Sequence, residues 1–309
     1  MKKVKVFAPA TVANVCCGFD VLGFCMQDPA DEVTLTLRHS PGIVMNRITG
    51  DGGKLSTDPK KNTAGVAVQS YLNAIQNDQG VEIDLVKNLP LGSGMGSSAA
   101  SAVAAVVGIN ALLGEPLARK DLIAHVMEAE RMACGSAHAD NAAPCLMGGF
   151  VLIRDYHPLD VVQVPAKVDL FCSLIHPHME LKTADSRKVL RGSITLKDSI
   201  TQSGNIAALM IGLIQADYDL IGRSLHDVIA EPTRSAFIPG FDIIKKEVMQ
   251  SGALGFGISG SGPTVFALSK DQSVAEQCGV IATRHFSQVG LPSSVYISRV
   301  NKAGARIEG

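Results

Sequence analysis

The sequence predicts an α+β protein in two parts, and three observations point that way. Short strand-like runs stand at 4–8, 33–37, 81–86 and 150–154, and the first two alternate as half-buried strands do. Longer runs between them carry apolar residues at helical spacing. After a polar stretch at 155–167 the pattern restarts with a strand, helices, a strand pair, a helix and a closing strand. The chain has 309 residues, enough for two cores, and the expected division is 1–158 and 159–309.

In order, residues 4–8 (VKVFA) alternate and run into a turn at Pro9, and 33–37 (VTLTL) alternate cleanly. From 63 to 75, Val66, Val68, Tyr71, Leu72 and Ile75 recur at helical spacing. Residues 81–86 (VEIDLV) form a strand, and a helix from about 97 to 113 is closed by Gly114 and Pro116. A further helix at 119–133 stops at Gly135, and 150–154 (FVLIR) is a strand. In the second half, 168–175 is a strand, 184–191 and 198–230 are helical, and 241–250 is a third helix. Two strand segments flank a Gly-Ser turn in 253–269, followed by a helix at 273–289 and a strand at 294–299.

Apolar residues make up 46% of the chain and charged ones 18%, as in folded soluble proteins. A net charge of −1 gives no electrostatic footprint for nucleic acid or an anionic membrane, so neither is an expected partner. The most apolar stretch, 99–113, is too short to span a bilayer and contains Ser101 and Asn110. The N-terminus has charge but no apolar signal core. Cysteines at 16, 17, 25, 134, 145, 172 and 278 are odd in number and scattered, with no C-x-x-C pair. Reduced thiols and a cytoplasmic location are therefore expected. The His176-Pro-His178-x-Glu180 cluster matches no common zinc spacing and reads as a strand-exit loop.

PLGSGMGSSAASA (90–102) sets three glycines and four serines ahead of an alanine-rich helix. The P-loop pattern fails, because no lysine occurs from 88 to 119. Gly94 to Ala99 matches G-x-G-x-x-A, but 88–90 intervenes after the strand, and Glu115 sits in a turn instead of ending a second strand. A third arrangement keeps the physics of both: glycines let main-chain N–H groups curve around a phosphate at a helix N-terminus. The hydroxyls of Ser97, Ser98 and Ser101 can donate to phosphate or ligate Mg²⁺, and Ser97 or Ser98 also suits an N-cap.

This loop resembles the nucleotide loop of the GHMP kinase family. APATVANVCCGFDVLG (8–23) resembles the family's first motif, and GFGISGSGPTVFAL (255–268) its third, a turn that supports the phosphate loop. The first motif and HADNAAP (138–144) resemble the homoserine kinase branch. The resemblance implies ATP-dependent phosphorylation of the L-homoserine side-chain hydroxyl in threonine biosynthesis, with Mg²⁺. It also implies an N-terminal domain like ribosomal protein S5 domain 2, a ferredoxin-like C-terminal domain, and a homodimer. One departure is Cys16-Cys17, where the family usually has Gly-Pro.

By resemblance, the nucleotide contacts are Leu91, Gly92, Ser93, Gly94, Met95, Gly96, Ser97, Ser98 and Ser101, with Asn62 near adenine. Asn62 is equally a helix N-cap. Asn14 and Asp20 take the amino-acid head and hydroxyl, Arg187 and Arg234 its carboxylate, and Thr183 and His138 complete the acceptor side. Guanidinium forks suit carboxylates better than ammonium groups do. On a helical wheel Ile123, Val126, Met127 and Glu130 share an arc of about 100°, so Glu130 points inward. Its two readings are a buried salt bridge and a Mg²⁺ ligand beside Ser98. In some relatives an Asp occupies the position matching Asn141, and an amide accepts no proton. Asp140, on an extended segment, points away from Asn141. Catalysis by Ser98, Glu130 and Asn141 then rests on positioning and Mg²⁺ charge, without a strong base. The alternatives are a GHMP kinase for mevalonate or a sugar, and a nucleotide-binding protein without turnover.

Overall fold

The computed structural model describes residues 2–135, 138–181 and 183–308, with the side chains of 134, 183 and 184 outside that description. The first sheet is built on β1 (Lys3–Ala13) and β2 (Leu22–Arg38), antiparallel with Val6 opposite Val33. β1 does not end at Pro9 as its sequence suggests. The missing N–H is absorbed at a register shift between Pro9 and Thr11, and the strand continues to Ala13. β3 (Ile43–Thr49) and β4 (Gly80–Val86) pair in parallel, and β5 (Phe150–Tyr156) joins the start of β2. β6 (Leu159–Gln163) folds back on β5, so the expected division at 158/159 falls in the turn of this hairpin.

Four helices cover the sheet: α1 (Thr63–Ala74), α2 (Ser97–Leu112), α3 (Ile123–Cys134) and α4 (Ala139–Met147). α2 is central and buried almost all round, which explains its run of Ala, Val and Gly. A Cβ on Gly108 would meet Leu35 Cδ1 at 2.3 Å, so small residues let α2 lie close against β2. A 3-10 turn at Arg119–Leu122 precedes α3.

The second sheet contains β7 (Phe171–Pro177), β8 (Gly255–Ile258), β9 (Val265–Ser269) and β10 (Ser293–Arg299), in the order β10-β7-β9-β8 with every neighbour antiparallel. Between β7 and β8 come α5 (Thr183–Lys188), α6 (Leu196–Gln215), α7 (Tyr218–Ser224), α8 (Glu231–Arg234) and α9 (Phe241–Gln250). α10 (Gln272–Gln288) lies between β9 and β10. This strand order and connection are ferredoxin-like. The helical stretch read at 198–230 is broken at Ala216, φ +62°, after which Asp217 caps α7.

β9 shows how the two parts share a core. Val265 and Ala267 join the cluster with α9 and α10, while Phe266 and Leu268 join the larger cluster of the first sheet. The Phe266 and Phe24 rings meet edge-on, 6.1 Å between centroids. The chain finally returns to the first sheet as β11 (Arg306–Ile307) beside β1.

Candidate active site

The loop between β4 and α2 is left-handed at Gly92, Gly94 and Gly96, with φ of +64°, +80° and +71°. It is wedged between the end of β1 and the turn joining β8 to β9. Thr11 N–H donates to Met95 O at 3.0 Å, and Thr264 N–H to Ser93 O at 3.1 Å. Ser259 Oγ donates to Gly94 O at 2.7 Å. With these carbonyls drawn into protein, the N–H groups of Gly94 and Gly96, on the opposite side of the same planar peptides, face away from it. Both glycines line a cavity of about 470 Å³.

The N-cap of α2 is Gly96, and no side chain caps the helix. This corrects the expected serine cap: Ser97 and Ser98 are the first two helical residues. The first-turn N–H groups thus open on the cavity beside the positive helix end, as an anion site requires. Of the loop serines, three are committed elsewhere. Ser93 Oγ donates to Pro90 O at 2.7 Å and Ser97 Oγ to Leu89 O at 3.0 Å. Ser101 Oγ lies 2.9 Å from Lys87 Nζ and 3.2 Å from Asp31 Oδ2.

Lys87 is the residue that sequence reasoning missed, one position before the lysine-free window. It is buried and paired with Asp31, and it donates to Ser97 O at 2.7 Å. Asp31 Oδ1 accepts from the N–H groups of Asn88 and Leu89, each at 2.9 Å. The pair clamps the entry to the loop from below, and a buried pair this well bonded fixes geometry more than it adds stability. Its signal in the sequence was a lysine ending an otherwise alternating strand.

The remaining loop serine, Ser98, stands close enough to the Glu130 carboxyl to favour its charged form. α3 places Glu130 inward, 8% exposed, as its wheel position predicts. Burial pushes its pKa up to about 7, against the pull of Ser98 and Lys87. Among the described residues its Oε1 has no hydrogen-bond partner. A buried orphan carboxylate oxygen beside a serine hydroxyl and an anion loop fits a hard divalent cation sharing its shell with phosphate.

At the acceptor end, the turn between β1 and β2 is left-handed at Asn14, Val15, Cys16 and Asp20, with φ of 72°, 43°, 56° and 56°. Cys16 itself adopts the conformation that glycine would supply, so the Cys16-Cys17 departure keeps the turn. Asn14 accepts from Asp20 N–H at 3.0 Å and donates to Gly260 O at 3.0 Å, tying the first motif to the third. Asp20 meets Arg187 from α5, with 2.8 Å from Nη2 to either carboxylate oxygen. His138 Nδ1 is 3.4 Å from that same nitrogen; burial lowers its pKa against the opposing pull of Asp20. Arg234 donates to Ser186 O at 3.2 Å and Gly260 O at 2.9 Å, and its guanidinium lies 5.2 Å from the Phe19 ring centroid.

The segment 138–144, read as extended, forms the start of α4 instead. Asp140 and Asn141 are therefore about 100° apart on a helix and both line the cavity. Thr11 Oγ1 donates to Asn141 Oδ1 at 2.7 Å, which turns the amide nitrogen of Asn141 outward as a donor. Burial pushes Asp140 up to about 7, with repulsion from Asp20 added.

The cavity gathers every residue expected from the sequence except Met95, which is fully buried with its N–H 3.3 Å from Ser93 Oγ, and Thr183, whose side chain lies outside the described atoms. Asn62 lines it while capping α1: Oδ1 accepts from Ala64 N–H at 3.1 Å and Nδ2 donates to Ser56 O at 3.0 Å.

The descriptions "GHMP kinases N terminal domain" and "GHMP kinases C terminal" match residues 62–149 and 205–288. A homoserine kinase of Chlorobium phaeobacteroides (strain DSM 266 / SMG 266 / 2430) is 50% identical over 99% of this chain and 100% of its own. One from Xylella fastidiosa (strain M12) is 38% identical over 99% of this chain and 94% of its own. The crystal structure of homoserine kinase from Cytophaga hutchinsonii ATCC 33406 superposes with a TM-score of 0.96 at 51% identity, covering 100% of this chain and 98% of that one. Mevalonate kinase from Staphylococcus aureus MRSA252 shares the fold, with a TM-score of 0.63 at 16% identity over 97% and 99% of the two chains. With both family segments in place and full-length likeness to proteins of one name, the chain belongs to the GHMP kinases, in the homoserine kinase family.

Proposed function

We propose that the protein transfers the γ-phosphoryl group of ATP to the side-chain hydroxyl of L-homoserine, releasing ADP and O-phospho-L-homoserine in threonine biosynthesis. The observation that carries this reading is the sharing of one cavity by an amide-lined loop and a cluster of opposite charges. Asp20, Arg187 and Arg234 stand in the same space as Gly94, Ser98 and Glu130. Mevalonate and sugars bring no ammonium group, so they leave half of that charge cluster unanswered.

The loop N–H groups and the α2 N-terminus bind the phosphates. Ser98 and Glu130 would hold Mg²⁺, which neutralises phosphate charge as the transition state spreads it over the oxygens. Asn141, its oxygen pinned by Thr11, donates to the reacting oxygens and accepts no proton. The new bond joins the acceptor oxygen to phosphorus as the bridge to ADP breaks, and the hydroxyl proton leaves late, as a loose transition state permits.

We include a homodimer and a cytoplasmic setting in this reading; six described cysteines are free thiols, and no described helix is long and apolar enough to cross a membrane. Light scattering on the eluting protein measures the dimer. The activity is tested by ADP release with ATP·Mg²⁺ and homoserine, threonine, mevalonate or galactose. Turnover with homoserine above the others is expected; turnover confined to mevalonate or galactose overturns the acceptor, and nucleotide binding without turnover overturns the enzyme.

A further inference from the structure

The second sheet changes from apolar to polar where it reaches the phosphate loop. In the β7–β9 ladder Leu174 stands opposite Phe266 and Ile175 opposite Val265. The next pair in the same register is His176 and Thr264, on the face that Leu174 and Phe266 turn toward the first sheet. His176 is 7% exposed and Thr264 is fully buried. His176 Nδ1 lies 3.1 Å from Thr264 Oγ1, and among the described residues each side chain has the other as its hydrogen-bond partner. An apolar pair would fill this place with no polar atom to satisfy.

Thr264 is the point from which the loop is held. Its N–H donates to Ser93 O at 3.1 Å, and its carbonyl accepts from Ser259 N–H at 2.9 Å. Ser259 in turn donates from Oγ to Gly94 O at 2.7 Å. The Ser93 carbonyl and the Gly94 N–H belong to one planar peptide, so the grip of Thr264 on the first sets the direction of the second. We propose that His176 is a positioning residue for phosphate binding: its ring fixes the Thr264 side chain, and Thr264 fixes the Ser93–Gly94 peptide so that the Gly94 N–H meets the nucleotide's phosphate. This rests on the reading of the 92–98 loop as the phosphate site and extends that site to a residue outside the cavity.

The surroundings of His176 agree. It lines a separate groove with Pro90 and Leu91, so it supports the loop from outside the nucleotide cavity. Burial, with His178 beside it, lowers its pKa to about 4, and the ring stays neutral at neutral pH. A neutral imidazole keeps the bond to the hydroxyl in either tautomer, as acceptor or as donor. The His178 ring, 6.0 Å away between centroids, is held by its own bond from Nε2 to Ser294 Oγ at 2.8 Å. The same strand exit reaches the loop a second time at Glu180, whose Cγ would lie 2.9 Å from a Cβ on Gly92. The His176-Pro-His178-x-Glu180 motif, which matches no zinc spacing, thus braces the phosphate loop at two points.

The test is calorimetric titration with ATP·Mg²⁺ and with adenosine, which lacks the phosphates, in wild type, His176→Phe, His176→Asn and Thr264→Val. His176→Phe keeps a ring but loses the nitrogen; its Kd for ATP is expected to rise by about tenfold, with the Kd for adenosine within about twofold. His176→Asn, whose amide can stand where Nδ1 does, restores ATP binding to within about threefold of wild type. Thr264→Val removes the other partner at nearly constant shape and reproduces the loss should His176→Phe fail to fold. Combining the two costs at most about threefold more than either alone. Unchanged ATP affinity in folded His176→Phe or Thr264→Val overturns the assignment. So does an equal loss for ATP and adenosine, or a His176→Asn variant no better than His176→Phe, since either marks a residue that only packs the core. A wild type that binds ATP no better than adenosine would instead overturn the phosphate-loop reading itself.

Discussion

Arg187 sets a single nitrogen, Nη2, 2.8 Å from both carboxylate oxygens of Asp20. The two residues are 167 positions apart, and the bond locks the β1–β2 turn to α5 across the cavity. Either single alanine variant leaves the other charge unpaired, and each raises the KM for homoserine by about tenfold. The pair is a quarter to a third exposed, so its coupling is near 1 kcal/mol, and the double variant loses about fivefold less than the product of the single losses. Steady-state kinetics on the three variants measures this, and strict multiplicativity contradicts it.

Glu130→Gln removes the charge that faces Ser98 but keeps the side chain's shape. The fold is kept and the melting temperature at pH 5 stays close to wild type, while the Mg²⁺-dependent rate falls by about 100-fold. Titrating Mg²⁺ at fixed ATP should show a weaker metal requirement. Unchanged activity rejects the metal role.

Ligand-free stability depends on pH through Glu130 and Asp140. Each has a folded pKa of about 7, raised from 4.5 and 3.8 respectively. A raised carboxyl pKa means that the folded form binds more protons than the unfolded chain between those values. The stability this gives is present in full below the unfolded pKa and is lost as pH rises through about 7. Melting temperatures taken from pH 5 to 8 should fall by several degrees relative to the Glu130→Gln, Asp140→Asn double variant. Parallel curves for the two proteins reject this origin.

Gly94→Ala tests the seam between loop and turn. A Cβ there would sit 2.5 Å from Ser259 O at a backbone φ of +80°. The variant should raise the KM for ATP by about tenfold or more and lower stability by about 1–3 kcal/mol. Denaturant unfolding with ATP kinetics reads both effects, and wild-type values for either contradict the close approach.

Much of this architecture was legible because it follows from period and punctuation. α2 was visible as a glycine-rich entry to an alanine-rich run, and Glu130 as an acid on an apolar face. The α4 start was not, because Pro144 and a short polar opening hide a nine-residue helix whose stability comes from burial against β1, β2 and α2. That error turned Asp140 away from the site. β1 past Pro9 was hidden for a similar reason: only tertiary pairing shows where a strand tolerates a lost donor. Lys87 and Asp31 lie 56 positions apart and meet only through the β2–β4 pairing. Asn14 and Asn62 line the cavity as expected, yet their amides are spent on turns and caps, which no local spacing reveals.

The central proposal is that the main-chain N–H groups of Gly94, Gly96, Ser97 and Ser98, the first two on the far side of peptides whose carbonyls the protein has pinned, hold the triphosphate. Hydrogen exchange across 90–102, with and without ATP·Mg²⁺, measures this most directly. Slowing of exchange by about tenfold or more at 94–98 on adding nucleotide is the predicted result, with Glu130→Gln weakening the effect of Mg²⁺. Exchange in that segment unaltered by millimolar ATP·Mg²⁺, while homoserine is still phosphorylated, would contradict it.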